Sequence, residues 1–147
     1  MGSEAVKRKF GGVALAVSVV SAAFVMVGCA SQRSDLRALE SCGSFRFPAG
    51  AELAEYEVRT SFGDETMVAV VKVPANEFNE FKAGSSIDRF TPGVPEYSKD
   101  YWRNTKNFPA LESGHAEYAD EGGVSQTRWV AHSSGGATEI IFVRAVC

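Results

Sequence analysis

The sequence predicts an α+β domain: a four- or five-stranded, mostly antiparallel sheet with one helix packed on a face. Three observations carry this. Residues 54–62 alternate polar and apolar side chains, residues 66–73 and 138–146 are β-branched and apolar, and only residues 74–84 combine a proline opening with helical spacing.

The alternating stretch sets Tyr56, Val58, Thr60 and Phe62 against Glu55, Glu57, Arg59 and Ser61. A period of two describes a strand with one wet face. Gly63-Asp64-Glu65 is a turn signal, and Thr66–Val73 is apolar on both faces. The two strands are expected to form a hairpin, the second nearer the sheet centre. Pro74 suits the first turn of a helix, Glu77 and Glu80 favour its positive end, and Gly84 can stop it. Phe78 and Phe81, three apart, share one helical face and are expected to pack on the sheet.

Residues 85–113 are the least regular, punctuated by Pro92, Pro95 and Pro109, with a short helix expected near Tyr97–Arg103. A closing meander follows: a weak strand at His115–Ala119, a turn at Asp120-Glu121-Gly122-Gly123, and a strand at Val124–Ser133. The turn Ser134-Gly135-Gly136 then leads to the strongest strand, Thr138–Val146.

The N-terminus has a separate logic. Lys7-Arg8-Lys9 precede an uncharged stretch of 19 residues, Phe10–Gly28, which ends at Cys29. A basic segment, an apolar run and small residues at a cleavage point make a secretory signal. Val25-Met26-Val27-Gly28-Cys29 resembles the bacterial lipobox, although Met26 stands where Leu or Val is usual. The resemblance implies lipidation of Cys29, cleavage before it, and a location on the outer face of the cell membrane. Two acyl chains make a stable anchor, since each buried methylene contributes about 0.8 kcal/mol. The competing reading is an uncleaved transmembrane helix, because 19 residues rising about 1.5 Å each just span the hydrocarbon core. The domain organisation expected is therefore a signal peptide at 1–28, a lipidated polar tether at 29–41, and one extracytoplasmic domain at 42–147.

The chain after the leader holds 119 residues, enough for one domain, with 12 basic and 17 acidic side chains and a net charge of −5. Such a balance gives no electrostatic reason to bind nucleic acid. Of three cysteines, Cys29 belongs to the lipobox, leaving Cys42 and Cys147 as an even pair in an oxidising compartment. A disulfide between them would clasp the two ends of the domain.

The run Phe47-Pro48-Ala49-Gly50-Ala51, a Tyr-bearing strand, the step Val71-Lys72-Val73-Pro74-Ala75-Asn76-Glu77-Phe78-Asn79-Glu80-Phe81, and a later Trp102 resemble small uncharacterised lipoproteins of high-GC Gram-positive (actinobacterial) bacteria. The resemblance spans about residues 45–110. It implies the fold and the address and transfers no catalytic residue.

Three places in the chain carry candidate chemistry. His115 and Glu117 alternate on a strand and His132 lies across the sheet, so the three are a weak candidate metal or small-ligand set, set against two ordinary strand histidines. Ser133-Ser134-Gly135-Gly136 beside His132 reads as a hairpin turn, and the chain lacks a Gly-x-Ser-x-Gly elbow. Tyr97, Tyr101, Trp102, Arg103 and Phe108 form an aromatic and basic cluster in the irregular segment. Such residues dominate binding surfaces. The favoured reading, however, is that Trp102 and Phe108 pin the loop to the core, as large apolar side chains routinely do. The function class expected is a non-enzymatic binding or structural module of the cell envelope, without a cofactor. Its partners would be the membrane, through the anchor, and an envelope protein or cell-wall component; an enzyme ranks last.

Overall fold

The structure, a computed structural model, describes residues 22–119 and 128–147, with side chains from residue 30 onward. Its elements are α1 (Ala22–Gly43), β1 (Glu52–Ser61), β2 (Asp64–Pro74), α2 (Phe78–Gly84), β3 (Thr91–Pro92), α3 (Glu96–Lys99), β4 (Glu117–Ala119), β5 (Arg128–Ser134) and β6 (Thr138–Val146). Short 3-10 turns cover Ala75–Glu77, Asp100–Trp102 and Phe108–Ala110. The six strands form one antiparallel sheet in the order β1-β2-β6-β5-β4-β3.

The class is α+β, as expected, but the sheet has six strands rather than four or five, and several helices accompany it rather than one. The strand not expected is the two-residue β3, whereas β4 is a shortened form of the weak strand expected at His115–Ala119. The β1–β2 hairpin turns through Phe62 (φ 54°) and Gly63 (φ 91°). Positive φ at both central residues matches the right-handed twist of a two-residue hairpin. Val124 and the turn at 120–123 lie outside the described residues.

Each sheet face buries its own cluster, because successive side chains on a strand point to opposite sides. On one face Met67, Ala69 and Val71 of β2 and Ile141 and Val143 of β6 meet Leu36 and Leu39 of α1 and Phe81 of α2. On the other face Val68, Val70 and Phe142 meet Trp102 and Leu111. The molecule is thus three-layered: helices, sheet, and the irregular segment 94–113.

The polar tether expected at 29–41 is instead part of α1. Leu36 and Leu39 are buried in the first cluster, and Gln32 donates through Nε2 to the Leu53 carbonyl (2.8 Å). Burying a leucine contributes about 1.5–3 kcal/mol, which holds a helix whose own propensity is marginal. The C-terminal end of α1 is fixed twice more. Arg128 donates to the carbonyls of Gly43 (3.1 Å) and Ser44 (3.0 Å), and Cys42 forms a disulfide with Cys147, the Cα atoms 5.4 Å apart. No helix among the described residues is long and apolar enough to cross a membrane.

The segments 47–51 and 71–81 touch each other. Ala51 N–H donates to the Pro48 carbonyl (3.1 Å), closing a turn, and Gly50 N–H donates to Glu77 Oε2 (2.9 Å). A Cβ at position 50 would lie 2.7 Å from that carboxylate and 2.9 Å from the Pro74 ring, so a side chain there would make Glu77 shift away.

Candidate binding groove and the His132 cluster

The segment 94–113 is docked by Trp102. Its side chain is wholly buried, its Nε1–H donates to the Val143 carbonyl (3.1 Å), and its ring meets Phe142 edge-on. Trp102 therefore lies in the core, as the favoured pinning reading has it, and leaves the candidate binding set. The other members do not form one surface either. Tyr97 stands alone at 62% exposure. Arg103 pairs with Asp100 and lies over the Phe108 ring. Tyr101 turns the other way, toward the sheet.

There Tyr101 completes a stack that the sequence reading missed. The Arg144 guanidinium lies 4.3 Å from the Tyr101 ring centroid and 4.2 Å from that of Trp129. The cross-strand register places Trp129 directly opposite Arg144. Cation–π contact offsets part of the desolvation of the guanidinium. Burial pushes the Arg144 pKa below its ordinary value, with Arg59 adding to the shift and Tyr101 and Tyr118 opposing it. The signal in the sequence was a lone charge inside an otherwise apolar strand, Ile140–Val146.

Beside this stack runs a groove of about 290 Å³, lined by Glu55, Glu57 and Arg59 of β1 and by Tyr101, Asn104 and Thr105, with Val68 among its walls. Glu55 fixes the far wall: its carboxylate accepts from Lys106 N–H (2.9 Å), Asn107 N–H (3.2 Å) and Asn107 Nδ2 (2.7 Å). Arg59 binds Glu57 bidentately (2.8 and 2.7 Å), which lowers the Glu57 pKa and raises that of Arg59. The groove thus offers an aromatic ring, an amide, a hydroxyl and paired charges, a set suited to polar ligands with several hydroxyl or amide groups.

On the opposite face β4, β5 and β6 bring together Glu117, His132 and Glu139. His132 Nε2 lies 2.6 Å from Glu117 Oε2, and Nδ1 lies 3.2 Å from Glu139 Oε2. Ser134 Oγ–H donates to Glu139 Oε1 (3.1 Å), and Phe78 and Phe90 cover the imidazole at 4.7 and 4.4 Å. Glu117 and His132 meet as the sequence suggested. His115 does not join them; it is exposed, before β4. Both imidazole nitrogens face carboxylates, so neither is open to a metal, and among the described residues no cluster suits a metal ion.

No family model matches this chain, and searches of curated proteins and solved structures find no significant relative.

Proposed function

We propose that the protein is an exported lipoprotein, anchored through Cys29 on the outer face of the cell membrane and serving as a non-enzymatic binding module of the cell envelope. The observation that carries this reading is the uncharged run Phe10–Gly28 between Lys7-Arg8-Lys9 and Cys29. The Cys42–Cys147 disulfide supports it, since such bonds persist in oxidising compartments. A lipidated Cys29 would open a helix that continues directly into the core through Leu36 and Leu39. The domain would then sit close to the bilayer on a rigid support.

The ligand surface in this reading is the groove beside Tyr101, and its chemistry suits a cell-wall glycan or a polar peptide segment. Cys29→Ala tests the anchor: the variant should leave the membrane fraction or accumulate as uncleaved precursor. Membrane retention at full precursor mass in both wild type and variant would refute it. Asn104→Trp tests the groove, since position 104 is exposed and an indole there fills the cleft. Sedimentation with purified cell wall should fall at least severalfold; unchanged sedimentation of a folded variant would remove the groove as the binding surface.

A further inference from the structure

The sheet has two unequal edges. One is β3, two residues long, where Pro92 supplies no N–H donor. Short, proline-bearing edges resist pairing with other chains. The other is β1, ten residues long, whose residues Glu57–Ser61 are exposed on both faces. At its tip Phe62 is fully exposed, and Val58 is 41% exposed; with Tyr97 they are the large exposed apolar side chains among the described residues.

We infer that β1 is a self-pairing edge, along which two copies of this chain join their sheets antiparallel about a two-fold axis at Val58. The argument is register and charge. A two-fold at Val58 sets Glu57 opposite Arg59 of the partner subunit, and Arg59 opposite the partner's Glu57. It also sets Tyr56 opposite the partner's Thr60, and Val58 opposite itself. A two-fold at Glu57 would oppose two carboxylates, and one at Arg59 would oppose two guanidinium groups; like charges directly opposite destabilise a pair. Within one chain Glu57 and Arg59 already lie side by side, so pairing builds an alternating cluster of four charges. Phe62 is carried past the end of β1 toward the partner's Ala54, covering a ring that solvent otherwise surrounds.

The pairing also bears on the groove. Glu57 and Arg59 line it from its β1 side, so the partner's β1 would border its open flank with a second Glu57–Arg59 pair. A two-fold normal to the sheet keeps both α1 helices on one side, so both N-termini can reach the same surface. The pairing does not depend on what the groove binds.

The test uses the full-length protein in membranes and in detergent. With β1 paired at this register, Val58→Cys places two thiols on directly opposed residues, about 5 Å apart at Cβ. A short thiol-bridging reagent should then yield a covalent homodimer. Thr60→Cys places its thiols four residues out of register and should yield little. Absence of the Val58→Cys dimer, or equal yields at both positions, would overturn the proposal. By sedimentation in detergent, Arg59→Glu should associate about tenfold more weakly, because two attractive cross-strand pairs become repulsive. The swap Glu57→Arg/Arg59→Glu should restore association. An Arg59→Glu variant as associated as wild type, or a swap that restores nothing, would equally overturn it.

Discussion

Trp102 is the sharpest test of how the irregular segment is held. Its ring is wholly buried, and its indole N–H satisfies the carbonyl of Val143 on β6. Trp102→Ala removes the largest fully buried side chain of the second cluster, and truncations of this kind cost about 3–5 kcal/mol. Trp102→Phe keeps an aromatic ring but loses the indole hydrogen bond to the Val143 carbonyl, at about 0.5–1.5 kcal/mol plus a packing loss. Whole-domain stability is typically about 5–15 kcal/mol, so the alanine variant should lie near the edge of folding. The assay is urea unfolding of the disulfide-intact protein, followed by far-ultraviolet circular dichroism. With a slope of about 2 kcal/mol/M, a loss near 4 kcal/mol moves the midpoint by about 2 M. A loss below about 1 kcal/mol for Trp102→Ala would refute the reasoning, since surface substitutions cost about that or less. It would mean that Trp102 does not dock segment 94–113.

Four further expectations follow from the same contacts. Replacing Cys42 and Cys147 by serine opens a loop with a sequence separation of 105; the chain-entropy model puts the loss at about 4–5 kcal/mol, measurable as a lower urea midpoint. Phe62→Asn should stabilise the hairpin by about 1 kcal/mol in thermal unfolding, because Asn adopts positive φ at lower cost; a destabilised variant would show that the Phe62 ring makes contacts of its own. His132→Ala removes the ring that faces both the Glu117 and Glu139 carboxylates, leaving Ser134 as the donor to Glu139 among the described residues, and should cost about 1–3 kcal/mol, whereas His132→Leu/Glu139→Leu should recover much of it. For Tyr56, burial and then the charges of Asp35 and Glu65 raise the phenol pKa. The folded state thus favours the protonated form, and this contribution is complete below the unfolded pKa of about 10 and lost as pH rises through the folded one. Stability of wild type should fall more steeply above about pH 10 than that of Tyr56→Phe, and parallel curves would contradict the assignment.

Long runs with a clear period were legible from the residues. β2 and β6 are apolar on both faces because layers cover both, and the hairpin β1–β2 follows from alternation and Gly63. An element too short to show a period was not: β3 has two residues, and pairing with β4, rather than local preference, makes it a strand, while β4 keeps three residues of the weak strand expected at His115–Ala119. Alternation along β1 suggested a half-buried strand, yet beyond Tyr56 both of its faces are wet, because no layer reaches over the sheet edge. The N-terminal helix was hidden by its polarity. Leu36 and Leu39 mark its inner face, with Ala38 and Cys42 beside them, and tertiary packing with the disulfide supplies what propensity lacks.

The site was less legible than the fold for a related reason. Tyr101 could be singled out as an aromatic in a loop, but its partners Trp129 and Arg144 come from strands distant in sequence, and only the β5–β6 register joins them. Trp102 sat in the same aromatic cluster, yet one hydrogen bond to a strand carbonyl marks it as core. Glu117 and His132 were paired correctly by strand alternation, whereas Glu139 was missed because it opens β6 beyond the glycine turn.

The central claim is the lipid anchor, and the mass of the N-terminal tryptic peptide from membrane-extracted wild-type protein tests it most directly. The account predicts a peptide of residues 29–33 that begins at Cys29 and carries the added mass of a diacylglycerol group. An unmodified Cys29 within an intact chain that still contains residues 10–28 would contradict it.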